Sequence, residues 1–394
     1  MVNRPLEGIR VLDLGQGVAA PYCGLLLAQY GAEVIKVEPL NGDWMRGLGK
    51  NCSGQTAYSI SYNLGKKGIA VDLKKAKGLE LVLKIAKTCD VVLENFRPGV
   101  VDRLGIGFEV IKALNEKILF VSVSGFGQSG PYKNRPGSDT VLQAFSGLIS
   151  INKGNDGSPH RVGTTIVDAV TGLCAFQATS MALFGGIKEA QFLDISLLQS
   201  AGVLLMPNIA DFDLSKGPAI ALNPPAGTYK TKDGWFAVAI VKEQNFVDLC
   251  KLIGVEEVAI DTRFNSSERR AKHLNDIMDI IQDKLKDKTT NYWESAFKEA
   301  GLLANPVNDF GHWLNDEHVK EIKGYDIKQQ PEVGEIPITR LPGGHKLEGV
   351  APNIGTDTKS VMLDYGYSSD EIIQLNKEKV IFVPEVTKDN EQGI

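Results

Sequence analysis

The chain has 394 residues and a mass of 42.8 kDa, and 43% of its residues are hydrophobic. A chain of this length can bury a large core and is expected to form two or three domains. Its formal net charge of −5 gives no general attraction to nucleic acid or anionic membrane, so small molecules are the expected partners and any phosphate must be held by local Lys or Arg side chains.

The first half of the chain alternates short apolar runs with helical patterns. Strands are predicted at residues 8–14, 33–37, 68–73, 90–93 and 118–123, and helices at 21–30 and 75–88. This alternation is typical of βαβ units and a parallel sheet. The sequence therefore predicts a doubly wound α/β domain.

The first strand is followed by a glycine-containing turn. Gly15, Gly17 and Ala20 precede a helix, and the next strand ends at Glu38. This order is close to the dinucleotide fingerprint, in which glycines let the backbone approach a pyrophosphate and an acid binds a ribose. The last glycine of that fingerprint is replaced by Ala20, and Pro21 begins the helix. Both a dinucleotide site and an ordinary βαβ turn remain open from this segment alone.

A glycine- and proline-rich run, SGFGQSGPYKNRPG, occupies residues 124–137. A loop of this length inside a compact domain is often functional. Helices are predicted to start near Asp139 and near Asp168. The second helix carries small residues that permit close packing, namely Ala169, Gly172, Ala175 and Ala178.

The pattern changes after residue 205, where prolines and a glycine mark a domain boundary. Pro218, Pro224, Pro225 and Gly227 lie there. Residues 228–318 are interpreted as a smaller α+β unit that begins with a hairpin turning at Lys232, Asp233 and Gly234. The tail from about residue 330 is rich in proline and glycine and ends in a short helix, SSDEIIQLNKEK.

The five cysteines and five histidines show no spacing typical of a metal or redox site, so no metal is expected. No charged stretch leads into an apolar run at the N-terminus, and no segment approaches the roughly 18 apolar residues that span a bilayer. The cytoplasm is the expected location.

Several segments taken together resemble the family III CoA-transferases of the CaiB/BaiF type, which are related to α-methylacyl-CoA racemase. These segments run in the expected order over nearly the whole chain: LEGIRVLDL, GAEVIKVEP with GDWMR, ENFRPGVVDRLGIGFE, SVSGFGQSGP, RPGSDTVLQAFSGL, the surroundings of Asp168, FLDISLLQSA, TKDGWFAVAI, DTRF with an Arg pair, and APNIGTDT.

This resemblance implies the fold and the assembly. The expected fold is α/β, with a Rossmann-like large domain built from N- and C-terminal segments (1–215 and 330–394) and a smaller α+β domain (222–320). The family also implies a homodimer of two interlocked chains. Composition alone does not indicate this dimer. No tightly bound cofactor is expected, because CoA and acyl-CoA are substrates.

The resemblance makes Asp168 the catalytic residue. A side-chain carboxylate can hold an acyl group as an anhydride and then hold CoA as a thioester, which divides a difficult exchange into easier steps. Asp168 opens a helix, where the positive helix end favours its ionised form. The alternative is that Asp168 only caps this helix. The implied function is the transfer of CoA from an acyl-CoA to a free carboxylic acid.

The resemblance also implies a CoA site. Cationic side chains and backbone N–H groups are expected around the phosphates of CoA. A solvated surface position is the alternative for any single Lys or Arg. The expected CoA-binding residues are Gln16, Gly17, Val18, Lys74, Asn95, Phe96, Arg97 and Arg103, with Arg135 and Asp139 as weaker candidates.

Two departures from the family's patterns bear on the substrate. Ser138 stands where the related racemase has a His beside the acid, and a hydroxyl is a poor proton shuttle near neutral pH. Racemisation is therefore the alternative activity, ahead of a dinucleotide enzyme or a silent CoA-binding protein. The segment ALNPPAGT lacks the glycine-rich run of formyl-CoA transferase, which puts formyl and oxalate substrates in doubt. Asp139 either caps its own helix or belongs to the acidic surroundings of the site.

Overall fold

The computed structural model of the protein describes residues 4–154, 157–217, 223–343 and 346–385. The chain divides into two compact units, one formed by Met1–Met206 with Gly324–Ile394 and the other by Pro207–Lys323. Pro218, one of the residues predicted to mark a boundary, lies outside the described residues.

The first unit opens with a run of alternating strands and helices. In chain order they are β1 (Arg10–Asp13), α1 (Ala19–Gln29), β2 (Glu33–Glu38), a 3-10 turn (Trp44–Gly47), α2 (Ala57–Ser61), β3 (Lys67–Val71), α3 (Ala76–Ala86), β4 (Val91–Glu94), α4 (Val100–Leu104), α5 (Phe108–Leu114), β5 (Leu119–Ser124), α6 (Asp139–Phe145), α7 (Leu148–Ile151), α8 (Ile166–Gly185), β6 (Gln191–Ser196) and α9 (Leu197–Leu204).

The remaining elements follow α9 along the chain. They are α10 (Met206–Ser215), β7 (Gly227–Lys230), β8 (Trp235–Ala239), α11 (Glu243–Leu252), α12 (Glu256–Ile260), α13 (Ser267–Lys272), α14 (Leu274–Leu285), α15 (Thr290–Glu299), β9 (Leu303–Pro306), α16 (Phe310–Asn315), α17 (Glu317–Glu321), β10 (Tyr325–Gln330), β11 (Gly334–Thr339), α18 (Thr358–Asp364), α19 (Ser369–Lys377) and β12 (Ile381–Phe382).

A seven-stranded sheet in the order β12-β3-β2-β1-β4-β5-β6 organises the first unit. Its strand pairs are parallel except for β12, which runs antiparallel to β3. The strand order reverses between β1 and β4, and ligands of open α/β sheets bind at such a switch point, beyond the carboxyl ends of the strands. The predicted α/β fold with a mainly parallel sheet is confirmed.

The central strands are apolar on both faces because helices cover both sides of the sheet. Leu12, Val92 and Phe120 belong to one buried cluster, whereas Val11 and Leu93 belong to the cluster on the other face. Alternate residues of a strand point to opposite faces, so neighbouring positions feed two different cores. This is why the strands appear in the sequence as continuous apolar runs.

All five predicted strands are present, with ends displaced by at most two residues. The small residues of α8 also have the predicted role, since a Cβ added at Gly172 would lie 2.8 Å from the Ala19 carbonyl oxygen of α1. The hairpin of β10 and β11 was not predicted. The segment 193–205 contains the end of β6 and then α9.

The expectation that no segment is long and apolar enough to span a bilayer is wrong for α8. Helix α8 is long and apolar enough, by length and composition alone, to cross a membrane. Its buried side faces α1, and the ring of its Phe176 stacks on Tyr30 with the ring centroids 5.4 Å apart. Its other side exposes apolar residues, which accounts for the high apolar content of the helix.

The second unit pairs a three-stranded antiparallel sheet, β7-β8-β9, with helices. The predicted hairpin is present as β7 and β8. Arg270 is 1% exposed in this unit and lies 4.2 Å from the centroid of the Phe246 ring. Its guanidinium donates to the carbonyl oxygens of Pro224 and Phe264 at 2.8 and 2.9 Å and to Glu243 at 2.8 Å.

Replacing Arg270 by Met is expected to lower the free energy of unfolding of this unit by about 3 kcal/mol, because two buried carbonyl groups lose their donors. Denaturant unfolding monitored by tryptophan fluorescence measures this loss. The same change at exposed Arg269 is the control, with an expected loss below about 0.5 kcal/mol. Equal losses at the two positions would contradict the assigned role of Arg270.

Candidate active site

Two cavities lie beyond the carboxyl ends of β1 and β4, at the switch point of the sheet. Gln16 and Phe96 line both of them. The first cavity has a volume of about 320 Å³ and is lined by Gln16, Val18, Ala19, Trp44, Asn95, Phe96, Arg97, Val123, Ser124, Gly125, Gly137, Ser138, Asp168 and Leu197. The second has about 400 Å³ and is lined by Leu14, Gln16, Val37, Pro39, Leu40, Asn41, Val71, Asp72, Leu73, Lys74, Phe96 and Leu104.

The glycine turn after β1 is already occupied by protein carboxylates. Gly17 has φ +75° and lies beneath Trp44, whose ring would be 2.2 Å from an added Cβ. The Gly17 N–H donates to both oxygens of Asp43 at 3.1 Å, and the Gly15 N–H donates to Asp13 at 2.9 Å. In a dinucleotide site the pyrophosphate takes this place. The geometry therefore disfavours a dinucleotide, and Gly17 shapes the turn without lining either cavity.

Buried ion pairs hold that turn in place. Lys36 Nζ lies 3.3 Å from Asp43 Oδ2 and donates to the Gly15 carbonyl oxygen. Lys66 Nζ lies 2.8 Å from Asp13 Oδ2. Burial would raise the pKa of Asp13, but Lys66 and Lys36 outweigh it and lower that pKa. Asp13 and Asp43 are therefore structural anchors.

A second turn follows β4 and carries three of the predicted CoA residues. Asn95 exchanges two hydrogen bonds with the backbone of Gln16, accepting at 2.7 Å and donating at 2.6 Å. Phe96 and Arg97 come next and line the first cavity. The Asn95 side chain thereby locks the ends of β1 and β4 together across the switch point.

Asp168 lines the first cavity from the first turn of α8. It is not the N-cap of that helix, because the capping position is Thr165 and Asp168 lies three residues further on. Burial, followed by the negative charge of Asp139, raises the pKa of Asp168 to about 7. The helix end was expected to favour the ionised form, and in the folded protein the two opposing effects are larger.

Asp139 caps α8, and not its own helix. Its Oδ1 accepts hydrogen bonds from the backbone N–H groups of Val167 at 2.7 Å and Asp168 at 3.2 Å, and its Oδ2 accepts from Gln143 at 2.6 Å. Asp139 is 6% exposed and does not line either cavity. The structure thus corrects the idea that it caps α6 and places it in the acidic surroundings of Asp168.

The loop between β5 and α6 forms another wall of the first cavity. Its ends meet where the backbones of Gly125 and Gly137 touch, since a Cβ added at Gly137 would lie 2.9 Å from the Gly125 Cα. Arg135 of this loop does not line either cavity. Its guanidinium lies 5.3, 5.4 and 5.3 Å from the ring centroids of Phe126, Tyr132 and Phe145.

The cationic candidates are distributed unequally. Lys74 lines the second cavity, and Arg97 lines the first. Arg103 on α4 is exposed and lines neither cavity. In the described part of the chain, no group of three or more His, Cys, Asp and Glu side chains is placed to hold a metal ion.

The sequence analysis did not single out several residues that line the first cavity. Trp44 is 56% exposed and begins the 3-10 turn whose N-cap is Asp43. Ser124 and Leu197 lie at a strand end and a helix start. The Asp-Trp pair in GDWMR was a signal for Trp44, because an Asp N-cap fixes the residue that follows it. No local pattern indicated Leu197.

Comparison with known proteins gives consistent results. A family model described as CoA-transferase family III matches residues 6–358. The chain is 31% identical to succinyl-CoA:D-citramalate CoA-transferase of Chloroflexus aurantiacus, covering 96% of this chain and 98% of that protein. It is 32% identical to succinyl-CoA:glutarate CoA-transferase of Homo sapiens, covering 85% and 79%. The crystal structure of a CAIB/BAIF family protein from Brucella suis superposes with a TM-score of 0.81 at 27% identity, covering 92% of this chain and 100% of that chain.

Proposed function

The chain belongs to CoA-transferase family III and is a CoA-transferase that acts between acyl-CoA and carboxylic acids, and we propose that Asp168 is the side chain that is transiently acylated. The observation that carries this proposal is the position of Asp168. Of the described residues that line the first cavity, it is the only carboxylate, and no hydrogen bond from them reaches its oxygens. A raised pKa at a cavity wall is typical of a reactive group.

The proposed cycle has four balanced steps. The Asp168 carboxylate attacks the donor thioester, the C–S bond breaks, and an anhydride forms as CoA thiolate leaves. The thiolate attacks the aspartyl carbonyl, which releases the donor acid and leaves an aspartyl-CoA thioester. The acceptor carboxylate attacks that thioester and again expels the thiolate. The thiolate then attacks the acceptor acyl carbon, giving the new acyl-CoA and a free Asp168 carboxylate.

A partly buried carboxylate suits this chemistry. Removing water from a carboxylate and placing it beside Asp139 makes its ionised form less stable, which raises both the pKa and the basicity of the oxygen that attacks. Near neutral pH a substantial fraction of Asp168 is still ionised, since its pKa is about 7. The same group must later leave as a carboxylate, and a pKa near 7 permits both roles.

We place CoA across both cavities. The shared wall of Gln16 and Phe96 makes them neighbours. Lys74 supplies positive charge for a phosphate in the second cavity, while the thioester reaches Asp168 in the first. Arg97 lies at the first cavity and offers a further cation along the chain of CoA.

The cytoplasm, where free thiols stay reduced, is the proposed compartment.

The racemase alternative is weaker. Racemisation at the α-carbon needs a base and an acid on opposite sides of that carbon. Ser138, which stands where the related racemase has a His, lines the first cavity, and no His is among the described residues that line this cavity. Asp168 alone cannot supply both groups.

Small dicarboxylic acids are the proposed substrates. The relatives named above use succinyl-CoA with citramalate or glutarate. The first cavity has polar groups on Gln16, Asn95, Arg97, Ser124 and Ser138, which suit a second carboxylate better than a long alkyl chain.

A screen of CoA acceptors tests this specificity. With succinyl-CoA as donor, glutarate, citramalate and malate are expected to give kcat/KM values at least about tenfold above those of butyrate or hexanoate. Chromatographic detection of the new CoA ester gives each rate. Equal or faster transfer to the monocarboxylic acids would refute the dicarboxylate assignment while leaving the transferase itself intact.

A second copy of the chain is proposed to cover an apolar face of the first unit. Leu173, Met181 and Phe184 lie on one side of α8, with Phe184 89% exposed, and Val203 on α9 is 55% exposed. Contiguous exposed apolar surface marks an interaction site. The packing of α8 on α1 argues against insertion into a membrane, since a spanning helix would have to leave it. The interlocked homodimer implied by the family is the proposed occupant.

Replacing Phe184 by Glu is therefore expected to prevent the two chains from assembling into the dimer as they fold, because a charge within the apolar interface would lose its hydration. Light scattering coupled to gel filtration measures the mass. The control is Ile373→Glu on α19, an apolar residue outside this face that is 53% exposed. A dimer that persists in the Phe184 variant, or a wild-type monomer, would exclude this interface.

A further inference from the structure

A buried carboxyl group that the proposed cycle does not use lies directly beneath the turn that follows β4. Glu94 ends β4 and is 1% exposed. Its Oε2 accepts the Phe96 N–H at 2.7 Å, and its Oε1 accepts the Ser122 hydroxyl. Burial is the main reason that the pKa of Glu94 rises to about 7. No Lys or Arg among the described residues is paired with it.

The hydrogen bonds continue from Glu94 into the loop of residues 125–137. Gln128 Nε2 donates to the Ser122 hydroxyl at 2.8 Å, and the Gln128 backbone N–H donates to Asp194 Oδ2 at 2.9 Å. Glu94, Ser122 and Asp194 are register partners on the adjacent strands β4, β5 and β6, so their side chains share one face of the sheet. Three of the four donors in this chain of bonds donate directly to a carboxylate, and the fourth, Gln128 Nε2, donates to the Ser122 hydroxyl, which itself donates to Glu94.

The two ends of this chain of bonds lie in two different segments that form walls of the cavities. Phe96 lines both cavities. Gln128 belongs to the loop whose two ends, Gly125 and Gly137, line the first cavity. A shift of the loop would remove the Gln128 side chain that donates to Ser122. It would thereby weaken the hold of Glu94 on the Phe96 N–H.

An apolar residue would fill the position of Glu94 at lower cost, because a buried carboxylate without a cation loses hydration that its hydrogen bonds only partly replace. A residue that breaks the local rule for a strand end commonly serves the site. Here the two oxygens of one carboxylate connect the turn that carries Phe96 with Ser122 and, through Gln128, with a loop whose ends line the first cavity. A methylene chain cannot make that connection.

We propose that Glu94 is a positioning residue that connects the turn carrying Phe96 with the loop of residues 125–137. CoA then binds tightly only while the Gln128–Ser122 hydrogen bond holds this loop in place. This inference rests on the proposed placement of CoA across both cavities. Glu94 touches no substrate itself and acts through Phe96 on one side and through Ser122 and Gln128 on the other.

The test measures the dissociation constant for free CoA by titration calorimetry, which involves no chemistry at Asp168. Ser122→Ala and Gln128→Ala are each expected to weaken CoA binding by about tenfold, the loss typical of a hydrogen bond linked to a charged group. The double variant is expected to bind no more weakly than the Ser122 variant, because both changes interrupt the same chain. The KM for the acceptor acid is expected to stay unchanged. Ser360→Ala on the exposed surface is the control.

A second pair of variants distinguishes positioning from mere stability. Glu94→Gln keeps an acceptor for the Phe96 N–H and is expected to bind CoA within about threefold of wild type, whereas Glu94→Ala is expected to bind at least about tenfold more weakly. Unchanged CoA binding in the folded Ser122 and Gln128 variants, or effects that multiply in the double variant, would overturn the positioning role proposed for Glu94. A wild-type protein that fails to bind CoA would instead overturn the proposed function.

Discussion

Replacing Asp168 by Ala is expected to reduce CoA transfer by at least roughly 10⁴-fold, because both covalent intermediates require that carboxylate. CoA binding is expected to remain within about threefold of wild type, since the proposed CoA contacts lie on the β1 and β4 turns and at Lys74. Steady-state transfer rates and calorimetric CoA binding measure the two effects separately. Loss of rate without loss of binding would show that Asp168 acts in the chemical steps and not in CoA binding.

Two further variants sharpen this result. Asp168→Asn preserves the shape of the side chain and removes its nucleophilic oxygen, so it is expected to be as inactive as the Ala variant. Asp213→Ala changes an acid whose side chain is 82% exposed on α10 and is expected to be fully active. A residue-168 variant that retains a tenth or more of the wild-type activity would show that another group carries the acyl chain.

The charge of Asp139 is expected to control the pH range in which the enzyme works. In the wild type the rate is expected to fall as the pH drops through about 7, because Asp168 is then protonated and cannot attack. Asp139→Asn removes one of the two causes of the raised pKa and keeps an oxygen for the Val167 N–H. The acidic limb of the pH–rate profile is therefore expected to move to lower pH, so that the variant is faster relative to wild type under acidic conditions.

Asp139→Ala is the matched comparison. It removes the same charge and also leaves the buried N–H of Val167 without an acceptor, which costs about 1–3 kcal/mol of stability. The Ala variant is expected to lose about 10²-fold in rate at neutral pH, because the first turn of α8 then no longer holds Asp168 in position. An acidic limb that stays in place in the Asn variant would show that Asp139 does not set the pKa of Asp168.

The sheet was predictable from the sequence, whereas the contacts that surround Asp168 were not. The apolar runs of β1 to β5 follow from burial on both faces of a parallel sheet, a property each strand expresses locally. The capping of α8 by Asp139 joins residues 28 positions apart. Local rules assign a capping Asp to the helix that follows it, and here tertiary packing gives it to a different helix.

The glycine turn shows the same limit. Gly15 and Gly17 correctly indicated a tight turn after a strand, but the ligand of the Gly17 amide is Asp43, 26 residues away. A glycine pattern specifies a backbone shape, and the group that occupies it is decided by the folded chain. Arg135 is comparable, because its three aromatic neighbours come together only when the loop closes on α6.

The pKa of Asp168 illustrates how a local argument can give the wrong direction. A helix N-terminus lowers the pKa of an acid by stabilising its charge. Burial and the nearby Asp139 act in the opposite direction, and both depend on residues distant in sequence. The sequence could thus single out Asp168 as a candidate but could not predict its protonation behaviour.

Chemical trapping of the acylated side chain tests the central proposal most directly. The protein is incubated with succinyl-CoA and hydroxylamine, digested, and the peptide that contains Asp168 is examined by tandem mass spectrometry. A hydroxamate at Asp168, formed only when the acyl-CoA is present, is the expected result. An unmodified Asp168 in protein that is actively transferring CoA would contradict the covalent mechanism.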